Sequence, residues 1–204
     1  MQITKIEPQK ARWVKVSFEE GEPFLLPEKD FKLLLLEEGD ELPEEVYQRI
    51  LSVILVPEAK KKAMDYLVRQ DRAEGELFEK LLSKGFPAKV CEEAISYVKS
   101  FHYLDDSRYA RNYIDMKRSS KSRFEITMEL KRRKVASEVI EAAFEELEYE
   151  DDSKAIQNLI RKKCPRGTKG LERKEEQKLM AYLARKGFSF DDIRKGIEAC
   201  EEVF

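Results

Sequence analysis

The chain has 204 residues, enough for one domain or two small ones with a real core. Its 39 Lys and Arg nearly cancel its 41 Asp and Glu, yet charged residues make up 39% of it, well above the ~25% of ordinary globular proteins. Collagen-like, low-complexity and disordered classes are excluded, and no window approaches the ~18 uncharged apolar residues of a membrane span.

The start, "MQITKIEPQKARW", lacks the basic then apolar layout of a signal peptide, so a cytoplasmic location is expected. Residues 12–26, "RWVKVSFEEGEPFLL", alternate Val14, Val16 and Phe18 against Trp13, Lys15 and Ser17, turn at Glu20-Gly21 and resume with Phe24: a hairpin signal. Pro27 to Glu37 and Pro43 to Val56 each open with proline and acidic residues ahead of a periodic apolar face, as helix N-termini do. A small αβ module is therefore expected over residues 1–57.

From Glu58 onward the strand signal disappears and the chain reads as helices of about 10–15 residues. The helical part repeats. Placing Leu81 over Leu130 and Leu183 aligns Phe86 with Val135 and Phe188, Cys91 with Ile140 and Ile193, and Ile95 with Phe144 and Ile197. Upstream of each lies a helix carrying Ala63 and Leu67, Ala110 and Ile114, or Ala155 and Leu159. Three tandem three-helix repeats are expected, over residues 58–105, 106–150 and 151–204. Each is expected to be too small to bury its own apolar faces, so neighbours should stack into an elongated, curved array. The fold class is mainly α, preceded by the αβ module with its hairpin.

Between repeats stand "SFHYLDDSRYARNYI", residues 100–114, and "YEDDSKAIQNLI", residues 149–160. Adjacent aspartates beside the single histidine invite an acid/base or metal reading. However, Asp105, Asp106 and Ser107, like Asp151, Asp152 and Ser153, fall where a new helix starts, and short oxygen-bearing side chains there cap backbone N–H groups that lack helical partners. His102 is expected to be a packed or surface imidazole. No phosphate-binding loop, dinucleotide fingerprint, nucleophile elbow or His-Glu-x-x-His occurs. Cys91, Cys164 and Cys200 show no metal-ligand spacing, and Cys91 and Cys200 read as buried free thiols. No catalytic residue, metal or cofactor is expected, and an enzyme using Asp105 and Asp106 is the poorest reading.

The charge map is blocked. Residues 1–58 carry a net −6, residues 107–134 a net +7, residues 135–152 a net −8, and residues 153–174 a net +7. "MKRSSKSRFEI", "LKRRK" and "IRKKCPRGTKG" supply the basic runs. Such runs are either solvated faces or the footprint of an anionic partner. The pI of about 5.8 argues against a dedicated DNA binder and for an acidic protein surface.

"YLVRQDRAEGELFEKLLSKGF", residues 66–86, "HYLDDSRYARNYI" and "YLARKGFSFDDI" together resemble the RecX regulatory proteins, over Glu58 to Phe204. His102 stands where that family has glycine, Ala73 where serine is common, and Ser122 and Lys134 where turn glycines are found. The resemblance implies binding to the RecA filament on DNA and restraint of its ATP hydrolysis, strand exchange and co-protease activity, within DNA repair, recombination and the SOS response. Under it, Arg69, Arg72, Lys84, Arg108, Arg111, Lys117, Arg118, Arg123, Arg132 and Arg133 are expected to meet acidic RecA surface or phosphates of single- or double-stranded DNA. The protein would act as a monomer with no membrane partner. The alternative is a helical repeat protein that binds nucleic acid without RecA.

Overall fold

A computed structural model describes residues 1–149 and 151–201; Glu150 and residues 202–204, the expected ends of the second and third repeats, lie outside the described residues. The chain forms two compact units, Met1–Asp105 and Asp106–Phe204.

In the first unit, β1 (Ile3–Gln9), β2 (Trp13–Phe18) and β3 (Phe24–Pro27) form one antiparallel sheet in that order. The β2–β3 hairpin is the expected one, with Val14 and Val16 buried. β1 was not expected. Its Pro8 is tolerated because β1 is an edge strand, and its turn places Ala11 and Arg12 at φ of +62° and +66° without the usual glycine or asparagine.

After the sheet come α1 (Glu28–Leu34) and α2 (Glu44–Arg49), with Pro27 and Pro43 in their N-cap positions. α2 then runs through a π-helical stretch, Ile50–Leu55, into α3 (Val56–Arg69). The Val56 N–H reaches back five residues to Leu51. Pro57 follows at once; it has no N–H to give and its ring crowds the turn before it, so a widened turn carries the helix past it. α4 (Glu74–Leu82) and α5 (Ala88–Ser100) complete the first helical trio. Ile3, Val16, Phe24 and Leu26 of the sheet share one core with Ala59, Ala63, Leu77, Leu81 and Cys91.

The second unit holds α6 (Asp106–Lys117), α7 (Arg123–Arg132) and α8 (Ser137–Glu146), then α9 (Ser153–Lys163), α10 (Arg173–Arg185) and α11 (Phe190–Ala199). The alignment of the repeats is seen in their cores. Phe86, Val135 and Phe188 are 6%, 4% and 4% exposed, and Cys91, Ile140 and Ile193 are fully buried. One expectation fails: the third repeat does close a core of its own, from Ala155, Ile156, Ile160, Leu183, Phe188 and Ile193. The reason is close approach, since a Cβ on Gly196 would come within 2.3 Å of the Ile156 Cγ2. Small residues on both helices let α9 and α11 interlock.

The turn after the second helix of each repeat uses one backbone shape with different residues. Gly85, Lys134 and Gly187, equivalent in the alignment, have φ of +83°, +66° and +83°. Lys134 therefore keeps the glycine geometry at a cost. Ser122 is the opposite case: its extended backbone (φ −71°) needs no glycine, and its buried hydroxyl caps α7 by accepting from the Glu125 N–H at 3.0 Å while donating to the Lys186 carbonyl at 2.7 Å. Left-handed backbone costs a residue with a β-carbon about 1–2 kcal/mol, against about 0.5–1 kcal/mol for the extra chain entropy of glycine. Lys134→Gly is thus expected to raise the melting temperature by a few degrees. A lowered melting temperature in a thermal scan would contradict this.

Candidate partner-binding surface

The two aspartate pairs lie at helix-to-helix joints. At the first, α5 ends with His102 at φ +58°, and the Tyr103 N–H bonds the Val98 carbonyl at 3.1 Å. At the second, α8 ends with Glu148 at φ +47°, and the Tyr149 N–H bonds the Phe144 carbonyl at 3.1 Å. Both are Schellman stops, and His102 takes a left-handed position of the kind that glycine fills most easily. α6 begins at Asp106, directly after Asp105.

The second pair divides its labour in a way the spacing did not suggest. Asp151 accepts from the Ser153 N–H at 2.9 Å and serves its own helix, α9. Asp152 makes no side-chain cap to α9. Its Oδ1 instead accepts from the Arg123 N–H at 2.8 Å, at the start of α7, and from the Tyr149 hydroxyl at 2.5 Å. Burial pushes its carboxyl above the ordinary aspartate value. Asp152, Ser122 and the Asn158 amide, which donates to the Ser119 carbonyl at 2.9 Å, stitch the second repeat to the third. Among the described residues no group of three or more His, Cys, Asp or Glu could hold a metal ion. Burial also pushes the Cys91 thiol up to about 12, far from a reactive thiolate.

The ten cations fall into distinct environments. Three are built into the fold. The guanidinium of Arg72 pairs with Glu76 beside Tyr66, that of Arg123 lies 4.5 Å from the Phe144 ring and pairs with Glu141 at 2.6 Å, and that of Arg133 lies 4.6 Å from the Tyr113 ring. Arg111 pairs with Glu146 at 2.7 Å and Arg118 with Asp115 at 2.8 Å, at the surface. Exposed pairs are worth about 0.2–1 kcal/mol, so these two can exchange partners cheaply. Arg108 is half-buried near the start of α6. Among the described residues Arg69, Lys84, Lys117 and Arg132 make no ion pair, and of these Arg69, Lys84 and Arg132 are exposed. Arg69 and Lys84 belong to the first unit and Lys117 and Arg132 to the second.

Within the +7 block, Arg111 and Arg123 are neutralised by Glu146 and Glu141 of the −8 block that follows, and Arg118 and Lys121 by acids of their own block. Sequence reasoning passed over the cations of the third repeat. "IRKKCPRGTKG" marked part of them, but Lys178 and Arg185 sit in the mixed-charge stretch "RKEEQKLMAYLAR" and no local signal separates them from ordinary surface charge. Among the described residues no helix is long and apolar enough to cross a membrane.

Three family models match in order: the first three-helix domain of RecX over residues 59–97, the second over 105–143 and the third over 150–197. A protein of Caldanaerobacter subterraneus subsp. tengcongensis named Regulatory protein RecX is 34% identical over 200 residues, covering 97% of this chain and 98% of its own length. One of the same name from Clostridioides difficile is 30% identical, covering 95% of this chain and 92% of itself. A crystal structure of regulatory protein RecX superposes with a TM-score of 0.65 at 24% identity, over 97% of this chain and 100% of its own, a likeness of fold. That of RecX from Lactobacillus salivarius gives 0.63 at 23% identity, over 73% of this chain and 98% of its own.

Proposed function

Because the chain belongs to the RecX family of regulatory proteins, we propose that it binds the filament formed by the RecA recombinase on DNA and restrains that filament's ATP hydrolysis, strand exchange and co-protease activity. The observation that carries this reading is the match to named regulatory proteins along nearly the whole chain, sheet included. It acts in the cytoplasm, as a monomer, and without covalent chemistry. Cations of both units that make no ion pair among the described residues meet acidic filament surface, and several weak contacts to neighbouring subunits act together, so affinity for a filament far exceeds affinity for free RecA.

The test uses cations that the fold does not need. Reversing Arg123 or Arg133 would strip a packed guanidinium from an aromatic ring and confound folding with binding. Arg69→Glu, Lys84→Glu, Lys117→Glu and Arg132→Glu together avoid this. In an assay of RecA ATP hydrolysis on single-stranded DNA, wild type inhibits, and inhibition fades as salt rises. The fourfold variant needs about tenfold more protein for the same inhibition, equivalent to about 1.4 kcal/mol. If it folds by circular dichroism and inhibits as well as wild type, these cations are only a solvated surface. If wild type binds DNA alone as tightly as it binds DNA loaded with RecA, the RecA-independent reading replaces this one.

A further inference from the structure

The third repeat contains a cleft of about 720 Å³ whose rim is cationic. Lys163 ends α9, Arg166 rides on the loop that follows, and Lys178 and Arg185 project from α10. Among the described residues none of these four makes an ion pair, whereas Arg111, Arg118 and Arg123 of the neighbouring repeat are all paired. The acid of the lining, Glu175, turns its carboxylate to the Glu172 N–H in the capping box of α10. The C-terminal dipole of α9 accounts for Lys163 alone. The other three cations outnumber the one carboxylate of the lining, that of Glu175, and leave a net positive field that concentrates anions.

Beneath the rim the lining is apolar. Leu179 is buried, Leu171 is half-buried, and the Tyr182 ring lies beside them with the Lys163 ammonium 4.8 Å from its centroid. The loop wall is anchored: Thr168, 4% exposed, donates its hydroxyl to the Ile197 carbonyl at 2.8 Å, and the Gly167 N–H closes a turn on the Cys164 carbonyl at 3.0 Å. The volume lies in the range of small-ligand sites, about 300–1,000 Å³, and exceeds what one phosphate fills.

We propose that this cleft binds a nucleotide unit, its phosphate held by Arg166, Lys178 and Arg185 and its base laid against Leu179 and Tyr182. Guanidinium forks match phosphate oxygens, and an apolar floor with an aromatic ring suits the flat face of a base. An acidic peptide satisfies the rim but brings no flat face for the floor. The same chemistry is offered by a free nucleotide and by one unit of a single strand. The inference does not rest on RecA, and its test contains none.

The experiment is calorimetric titration of the full chain at low ionic strength. Its probes are ATP without metal, inorganic triphosphate, oligothymidylate about ten nucleotides long and polyglutamate of similar charge. ATP or oligothymidylate is expected to bind more tightly than triphosphate and polyglutamate. Tighter ATP identifies the free nucleotide as the source, and tighter oligothymidylate the strand. Arg166→Glu with Lys178→Glu is expected to weaken binding at least about tenfold, while Lys10→Glu with Arg49→Glu, the same change of charge at two exposed positions of the first unit, leaves it unchanged. No binding, triphosphate or polyglutamate binding as tightly as the nucleotide probes, or a cleft variant indistinguishable from wild type would each overturn the proposal.

Discussion

Phe86→Ala is expected to cost about 3–5 kcal/mol, the usual range for emptying a buried phenylalanine site. Phe86 is 6% exposed and meets Trp13 of β2 edge-on, with ring centroids 6.2 Å apart. Its carbonyl accepts from the buried Cys91 thiol at 3.5 Å. The preceding Gly85 is pressed so closely on the sheet that a Cβ there would lie 2.6 Å from Leu25 Cδ1. This turn is where the first helical trio meets the sheet, and backbone pinned on both sides collapses poorly around a cavity. Trp13 is the only tryptophan of the chain and lies in the first unit, so its fluorescence reports that unit alone. In urea, the Trp13 transition of Phe86→Ala should move to much lower concentration. Val135→Ala, at the equivalent place in the second unit, should leave it where it was. An unmoved midpoint for Phe86→Ala would mean that the sheet and the trio do not depend on each other.

Asp152→Ala should cost about 2–4 kcal/mol, and Asp151→Ala about 0.5–1 kcal/mol. Adjacent aspartates in one turn look interchangeable in sequence. Asp151 is exposed and caps the first turn of its own helix, a role that water partly replaces. Asp152 is half-buried and holds both the Arg123 N–H and the Tyr149 hydroxyl. Removing it strands two donors, each worth about 1–3 kcal/mol when buried without a partner, and loosens the join between α7 and α9. Chemical unfolding followed by far-ultraviolet circular dichroism measures both variants. Equal losses would show that the link to α7 carries no stability.

Much of the helical architecture was legible because it rests on local chemistry. Apolar residues at helical spacing marked the inner faces, and the alignment through Leu81, Leu130 and Leu183 placed residues that are all buried. β1 was not legible, because its turn uses Ala11 and Arg12 in a conformation that glycine or asparagine usually signals. The candidate surface was legible only in part. The density of positive charge along the chain pointed to the second repeat, but Arg123 and Arg133 of that repeat are held by Glu141 and the Phe144 and Tyr113 rings, contacts set by folding.

The sequence by itself determined the periodicity of the repeats, the helix stops and starts at the two aspartate joints, and membership of a regulatory family, since each depends on residue type and spacing along the chain. Tertiary structure alone decided which charges are neutralised and which remain. Arg111 and Glu146 are 35 residues apart and meet at 2.7 Å. Lys163 and Arg185 belong to different helices and line one cleft. Coulomb energy depends on distance in space and on the dielectric between charges, neither of which is written in the order of the residues.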